Sequence, residues 1–327
     1  MRVCIVGAGA VGGLIGTRLA AAGRAEVSAI ARGATLDALC NHGWRLQTAR
    51  GDLHGAARAS RSAGELGVHD LVVIAVKCTS LAEVAPTLAP LIGPETVVMP
   101  AMNGVPWWLC NGEPAVCATP LRSVDPDGRI AAAIPFDRVL GAVVHASAFV
   151  REPGLVEHRT GNLLIVGEPN GTESARVRAV ASLLAEAGFD VQLTTNVRYE
   201  IWYKLWGNLV MNPVSAITGA TGDRILVDPL VRAFCSAAMD EAAAIGARIG
   251  CRIAQAAEDR HAVTAELGAF RTSMLQDVTA GRQIELDAIV GAVHEIGRRV
   301  GVATPNVDAL LGLTRLFARV RGLYPPA

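Results

Sequence analysis

The chain of 327 residues is long enough for two domains, each with a substantial core. Thirty basic against thirty acidic side chains give a formal net charge of zero, which argues against a broad electrostatic footprint for nucleic acid or an anionic membrane. With 51% apolar and only 18% charged residues, the composition excludes a disordered chain.

Residues 2–6 predict a short apolar strand and residues 12–22 a helix rich in alanine and leucine. Between them, Gly7-Ala8-Gly9-Ala10-Val11-Gly12 spells GxGxxG. In a strand–turn–helix setting Gly7 permits the tight turn, Gly9 lets backbone approach a pyrophosphate, and Gly12 allows close packing of helix on strand. The diphosphate then meets the positive helix end and its free N–H groups. A structural turn in an unrelated α/β protein is the competing reading. The opening MRVCIVGAGAVGGLIG is superficially similar to a signal peptide, but the glycine spacing explains it better.

Residues 26–30 predict the next strand. An NAD site usually places Asp or Glu about 20 residues on, to bind the ribose 2′-hydroxyl. Here the segment runs Ala29-Ile30-Ala31-Arg32-Gly33, with no acid. The forked guanidinium of Arg32 suits a 2′-phosphate, so NADP(H) is preferred over NAD(H); a solvated loop arginine is the alternative.

Residues 70–76 and 96–99 are continuous apolar runs, as expected of strands covered on both faces. Lys77 and Asn103 come directly after them, where ligands of such sheets bind. Residues 120–138 predict an added loop. Residues 141–149, 154–158, 163–166 and 190–193 predict later strands, and 173–187 a helix. Beyond about 195 the segments 196–211, 229–250, 256–270, 284–301 and 305–319 all have helical spacing. Asp228-Pro229 and Thr304-Pro305 fit a cap followed by the first helical position. The predicted fold class is therefore α/β: an N-terminal Rossmann-type doubly wound sheet over 1–195 and an all-α C-terminal domain over 196–327.

Within 196–211, Lys204 and Asn208, with Asn212 just beyond, fall at i, i+4 and i+8 on one helical face, beside Trp202, Leu205, Trp206, Leu209 and Val210. A lysine against an apolar wall has a lowered pKa and serves as a general acid near neutral pH. Uncharged asparagines suit fixing a hydroxyl or carboxylate. The competing reading is an exposed lysine, with asparagines capping a helix that ends before Pro213.

The seven cysteines (Cys4, Cys40, Cys78, Cys110, Cys117, Cys235 and Cys251) form no CxxC pair, so neither a zinc site nor a disulfide framework is expected. The histidines are dispersed without metal-ligand spacing, so no metal is expected. The expected location is a reducing cytoplasm.

Five strings carry a resemblance: Ala75-Val76-Lys77; Met102-Asn103-Gly104; the block from Val197 through Tyr203-Lys204-Leu205-Trp206-Gly207-Asn208 to Asn212-Pro213; Ser273-Met274-Leu275-Gln276-Asp277; and Glu285-Leu286-Asp287. In this order and spacing the chain resembles the ketopantoate reductase (2-dehydropantoate 2-reductase) family of pantothenate biosynthesis over nearly its whole length. The resemblance implies that Lys204 gives a proton to the keto oxygen of a 2-oxo acid as hydride arrives from NADPH. It implies that Asn208 and Asn212 hold the substrate, that Ser273 contacts its polar end, and that Asn103 lies between nicotinamide and substrate. Lys77 and Glu285 are implied to help hold the cofactor, and Ser147 to meet it through strand-end backbone. A helix-start carboxylate such as Glu285 also favourably meets the helix dipole, which competes with that role.

The implied reaction reduces 2-dehydropantoate to pantoate, or a close analogue, in a cleft between the domains. Small-molecule substrate, no nucleic acid and no membrane are expected, and a homodimer is left open. The chain departs from the family pattern at Gly222, where some members supply a substrate-binding asparagine. It departs also at the bulky Val105-Pro106-Trp107-Trp108 and in the 120–138 loop, which puts the identity of the substrate in question. The alternatives are a related β-hydroxyacid dehydrogenase acting on another small acid and a non-enzymatic NADP(H)-binding redox sensor.

Overall fold

The structure is a computed structural model that describes residues 1–113, 116 and 118–326; Cys117 lies outside the described residues. The chain divides into two compact units, one of Met1–Met102 with Arg129–Glu200, the other of Asn103–Gly128 with the chain from Ile201 onward. Beside the change of unit at Glu200 and Ile201, close to the expected boundary near 195, there is an excursion that the sequence does not announce. The chain leaves the first unit after Met102, contributes a segment to the second, and returns at Arg129.

In chain order the strands are β1 (Arg2–Val6), β2 (Glu26–Ile30), β3 (Trp44–Thr48), β4 (Gly51–Gly55), β5 (Arg58–Ser60), β6 (His69–Ile74), β7 (Ile92–Pro100), β8 (Gly141–Glu152), β9 (Leu155–Gly167) and β10 (Asp190–Leu193). One sheet has the order β5-β2-β1-β6-β7, with every pairing parallel. Val6 stands opposite both Ile30 and Ile74, and Ile74 opposite Pro100. The carboxyl ends of four strands are thus level, and the chain after each emerges at one edge. A second sheet runs β10-β9-β3-β4, with β8 antiparallel to β9.

The Ala10–Ala22 helix packs on both sheets, and glycines make this possible. A Cβ at Gly12 would meet Ile5 and Ala75 on the first sheet's side, while one at Gly16 would stand 2.6 Å from the Trp44 ring on β3. Buried residues recur on every face of this helix, which accounts for its lack of a polar stripe. Two features of this unit escape a sequence reading. The Gly33–His42 helix and β3 to β5 lie in a stretch of mixed charge, and β4 is almost wholly exposed. Residues 154–158 and 163–166 are one continuous strand, β9, rather than two.

In the second unit the Val197–Thr218 helix does not stop before Pro213 but continues through it. A proline inside a helix forfeits one backbone bond and costs about 3 kcal/mol, here opposed by burial of the whole stretch from Leu209 to Ala216. The indoles of Trp202 and Trp206 donate to the carbonyls of Ala242 (3.2 Å) and Met239 (2.7 Å) on the Pro229–Arg248 helix. At about 100° per residue, Lys204 then points to the opposite side from both.

Asp228 caps the Pro229–Arg248 helix as expected, accepting from the amides of Leu230 and Val231 at 3.0 Å each. Thr304 does not cap the Pro305–Val320 helix. Its hydroxyl donates to Asp308, and the Glu241 carboxylate accepts from the first amides, those of Asn306 and Val307, both at 2.9 Å. The expected helix over 256–270 breaks after Ala265, and a separate Ser273–Thr279 helix comes next. The one expected from 284 begins as a π-helical segment, Asp287–Gly291, that runs into the Ala292–Val300 helix.

Candidate functional site

Along the level edge of the parallel sheet lie the groups expected to bind a dinucleotide. Gly7 has φ +93°, a backbone that strongly favours glycine, and a Cβ there would stand 2.7 Å from Val76 Cγ1. At Gly9 a Cβ would meet nothing within 4 Å, so the space over the helix start is open. No side chain caps the Ala10–Ala22 helix, whose N-cap is Gly9. Free N–H groups and open space together fit a diphosphate; Ala8, Ala10 and Val11 bring their backbone to the same turn.

Arg32 is exposed at the carboxyl end of β2, as N-cap of the Gly33–His42 helix. Lys77 is half-buried at the start of the Cys78–Val84 helix, one loop after β6. Ser147 is not at a strand end. It lies inside β8, exposed, where the register against β9 slips on both sides of it.

The second unit gathers a different set of groups. Lys204 Nζ donates to Asn103 Oδ1 at 2.8 Å. Burial pushes the Lys204 ammonium down to about 8; the nearby Arg260 guanidinium pushes the same way, and the Glu285 carboxylate opposes both. The next two residues, Gly104 and Val105, hold Asn103 in place. Gly104 has φ +86°, with Ala288 so close that a Cβ would stand 2.7 Å from its carbonyl oxygen, and Val105 N–H donates to that oxygen at 2.8 Å. Ala288 belongs to the π-helical segment Asp287–Gly291, so this local irregularity supplies the carbonyl that holds the chain just after Asn103.

Asn208 is half-buried and Asn212 buried, one and two turns beyond Lys204. Because the helix runs past Pro213, the asparagines do not cap its end. Ser273 is exposed at the first position of its helix. The cap there is Thr272, which accepts from Leu275 N–H, so the Ser273 hydroxyl is not committed to capping.

Sequence reasoning missed Arg260. Its guanidinium carbon lies 5.0 Å from the Tyr203 ring centroid, and a Cβ on Gly207 would stand 2.8 Å from its Nε. The one available signal was Gly207 itself, a glycine in the interior of an otherwise bulky helix.

Two expected departures change meaning. Gly222 opens no room: the Phe270 ring lies directly against it, and its amide donates to the Phe270 carbonyl at 3.0 Å. Trp108 is a core residue, 1% exposed, whereas Trp107 is half-buried.

The stretch expected as a 120–138 loop is helical over Arg129–Ala133 and forms a 3-10 turn at Phe136–Arg138, and its first residues are anchored. Glu295 accepts from Arg122 N–H (2.9 Å), Ser123 N–H (2.8 Å) and Ser123 Oγ (2.7 Å). Arg299 donates to the carbonyls of Val116, Thr119 and Pro120. Among the described residues no cluster of His, Cys, Asp and Glu fits a metal ion, and no helix is long and apolar enough to cross a membrane.

Comparison with known proteins agrees with this geometry. Residues 3–171 match the family model described as ketopantoate reductase PanE/ApbA, and residues 196–318 match its C-terminal counterpart. The 2-dehydropantoate 2-reductase of Mesorhizobium japonicum is 42% identical over 99% of this chain and 100% of its own. A crystal structure described as a candidate ketopantoate reductase from Ralstonia solanacearum MolK2 is 53% identical, covers 99% of both chains and superposes with a TM-score of 0.94. A PanE/ApbA family ketopantoate reductase from Ralstonia eutropha JMP134 is 27% identical over 98% of this chain and 100% of its own, with a TM-score of 0.84.

Proposed function

The chain belongs to the ketopantoate reductase family of oxidoreductases, and from that premise we propose that it reduces 2-dehydropantoate, or a close 2-oxo acid, to the 2-hydroxy acid with NADPH. The observation that carries this reading is the half-buried Lys204 ammonium, aimed by Asn103 and lowered to about 8, where a group can both hold and release a proton near neutral pH.

Gly7, Ala8, Gly9, Ala10, Val11 and Gly12 would hold the diphosphate, and Arg32 the 2′-phosphate, with Lys77 adding positive charge at the same sheet edge. NADPH, when bound, supplies the hydride. Lys204 hydrogen-bonds the keto oxygen and draws electron density toward it. As the carbonyl carbon accepts hydride, the π pair moves to oxygen, which takes the proton from Nζ. Lys204 is left neutral and recovers a proton from solvent. Asn103 directs the ammonium, and Glu285 offsets part of the cost of its charge. Asn208, Asn212 and Ser273 offer neutral donors and acceptors to the substrate's polar groups.

The test is loss of reduced-nicotinamide absorbance with NADPH against a panel of 2-oxo acids that includes 2-dehydropantoate. Turnover of 2-dehydropantoate or a near analogue is expected. Oxidation of NADPH with none of them would remove the reading.

A further inference from the structure

Arg260 stands in the Ala257–Ala265 helix, but its side chain lies along another, the one that carries Lys204. It stacks on Tyr203 and crosses the backbone at Gly207, the residues that immediately precede Lys204 and Asn208. The guanidinium therefore runs beside the Lys204–Asn208 stripe. Its Nε is buried with no hydrogen-bond partner, and among the described residues no carboxylate pairs with it. The residue as a whole is half-buried and its two terminal nitrogens are not enclosed, so they are open to an anionic group. Stacking on an aromatic face fixes its plane and leaves its edge to receive such a group.

We propose that Arg260 is the anchor for the substrate carboxylate, binding the acid group while Lys204 engages the keto oxygen on the adjacent carbon. The inference rests on the reading of this chain as a 2-oxo acid reductase. A 2-oxo acid presents a carboxylate and a carbonyl one bond apart, and two cations side by side match that pair of oxygens. The planar fork of arginine pairs with both carboxylate oxygens, which a lysine cannot do.

The arrangement has a second effect on Lys204, which is faced by the positive Arg260 and the negative Glu285. Without substrate, Arg260 repels the ammonium. A bound carboxylate cancels that repulsion and favours the protonated lysine, so the acid is loaded as substrate arrives.

Isothermal titration of oxamate, an unreactive 2-oxo acid isostere, and of its uncharged relative oxamide tests the anchor in the NADP⁺-saturated chain. Oxamate is expected to bind wild type and to bind Arg260→Gln roughly 10- to 100-fold more weakly, while oxamide affinity stays within a few-fold. Arg260→Lys keeps the charge without the fork and should recover part of the loss; it also carries the test if the glutamine variant does not fold. In the pH profile of reduction, Arg260→Gln should move the Lys204 limb upward, because the repulsion from Arg260 is gone while burial and Glu285 act as before. A merely structural role predicts neither the charge selectivity nor that shift. Unchanged oxamate affinity in the variants, equal weakening toward oxamate and oxamide, or a wild-type chain that does not bind oxamate overturns the proposal. Binding through Arg260 without turnover of any 2-oxo acid would leave the anchor standing and remove the reductase reading instead.

Discussion

Lys204 and Asn103 lie 101 positions apart in the chain, yet their side chains meet at 2.8 Å. The asparagine gives direction to the ammonium without adding charge, so it leaves the effect of burial in place. Burial lowers Lys204 to about 8, with Arg260 acting in the same sense against Glu285. In the proposed mechanism reduction uses the protonated form. Its rate should hold below about pH 8 and fall above it with the protonated fraction, whereas oxidation of the hydroxy acid should rise through the same region. Lys204→Ala should lower kcat by roughly 10²–10⁴ and leave NADPH affinity within a few-fold. Rate profiles in both directions check the first point, and steady-state kinetics with cofactor titration the second; near-normal kcat in the variant would exclude Lys204 as the acid.

Arg32 stands exposed at the end of β2, where an NAD site would carry an acid. Arg32→Ala should weaken NADPH binding by about 1.5–3 kcal/mol, the range for a hydrogen bond to a charged group, and hardly affect NADH. Equal losses for both cofactors in a fluorescence titration would show that Arg32 does not read the 2′-phosphate.

Gly207→Ala separates stability from binding. Alanine is favoured over glycine inside a helix by roughly 0.5–1 kcal/mol, and the group a new Cβ would crowd is the flexible Arg260 side chain, at 2.8 Å. The variant should melt no lower than wild type, yet bind oxamate more weakly because the guanidinium is displaced. A lower Tm with unchanged oxamate affinity would contradict this.

Glu295 holds the loop before Arg129 through two amides and one hydroxyl. Burial alone would raise its pKa, but the hydrogen bonds from Ser123, Arg122 and Arg299 outweigh burial and hold it below the usual glutamate range. A carboxylate lowered on folding stabilises the fold at neutral pH, and that contribution fades as the pH falls through the lowered value. Glu295→Ala should therefore cost about 1–3 kcal/mol near neutrality, less in acid, and speed hydrogen exchange at the Arg122 and Ser123 amides. An equal cost at neutral and acid pH would place the effect in packing instead.

The local part of the fold was legible in the sequence. GxGxxG gave the turn, and the three glycines occupy the three situations their spacing predicts: a positive φ at Gly7, open space at Gly9 and tight packing at Gly12. The Lys204–Asn208–Asn212 face was equally readable, because helical spacing is a local property. The hidden part depends on partners distant in the chain. Arg260 sits in a polar helix that looks like a solvated surface, and only Tyr203 and Gly207 show otherwise. Glu241, rather than Thr304, accepts from the amides of Asn306 and Val307, a substitution no local rule announces. Gly222 stands where some family members supply a substrate-binding asparagine, and nothing local announces that Phe270, far along the chain, packs directly against it.

The excursion of Asn103–Gly128 into the second unit bears on how the protein is made and inherited. During synthesis Asn103 leaves the ribosome well before Lys204 exists, so the pair can form only once the later helix has emerged. A fragment begun at residue 196, where the second family match starts, would carry Lys204, Asn208, Asn212 and Arg260. It would lack the residue that aims the ammonium and the loop that Glu295 and Arg299 hold. Recombination that exchanged this half would therefore keep the Lys204 hydrogen bond only where the new first half also supplies an asparagine in the place of Asn103.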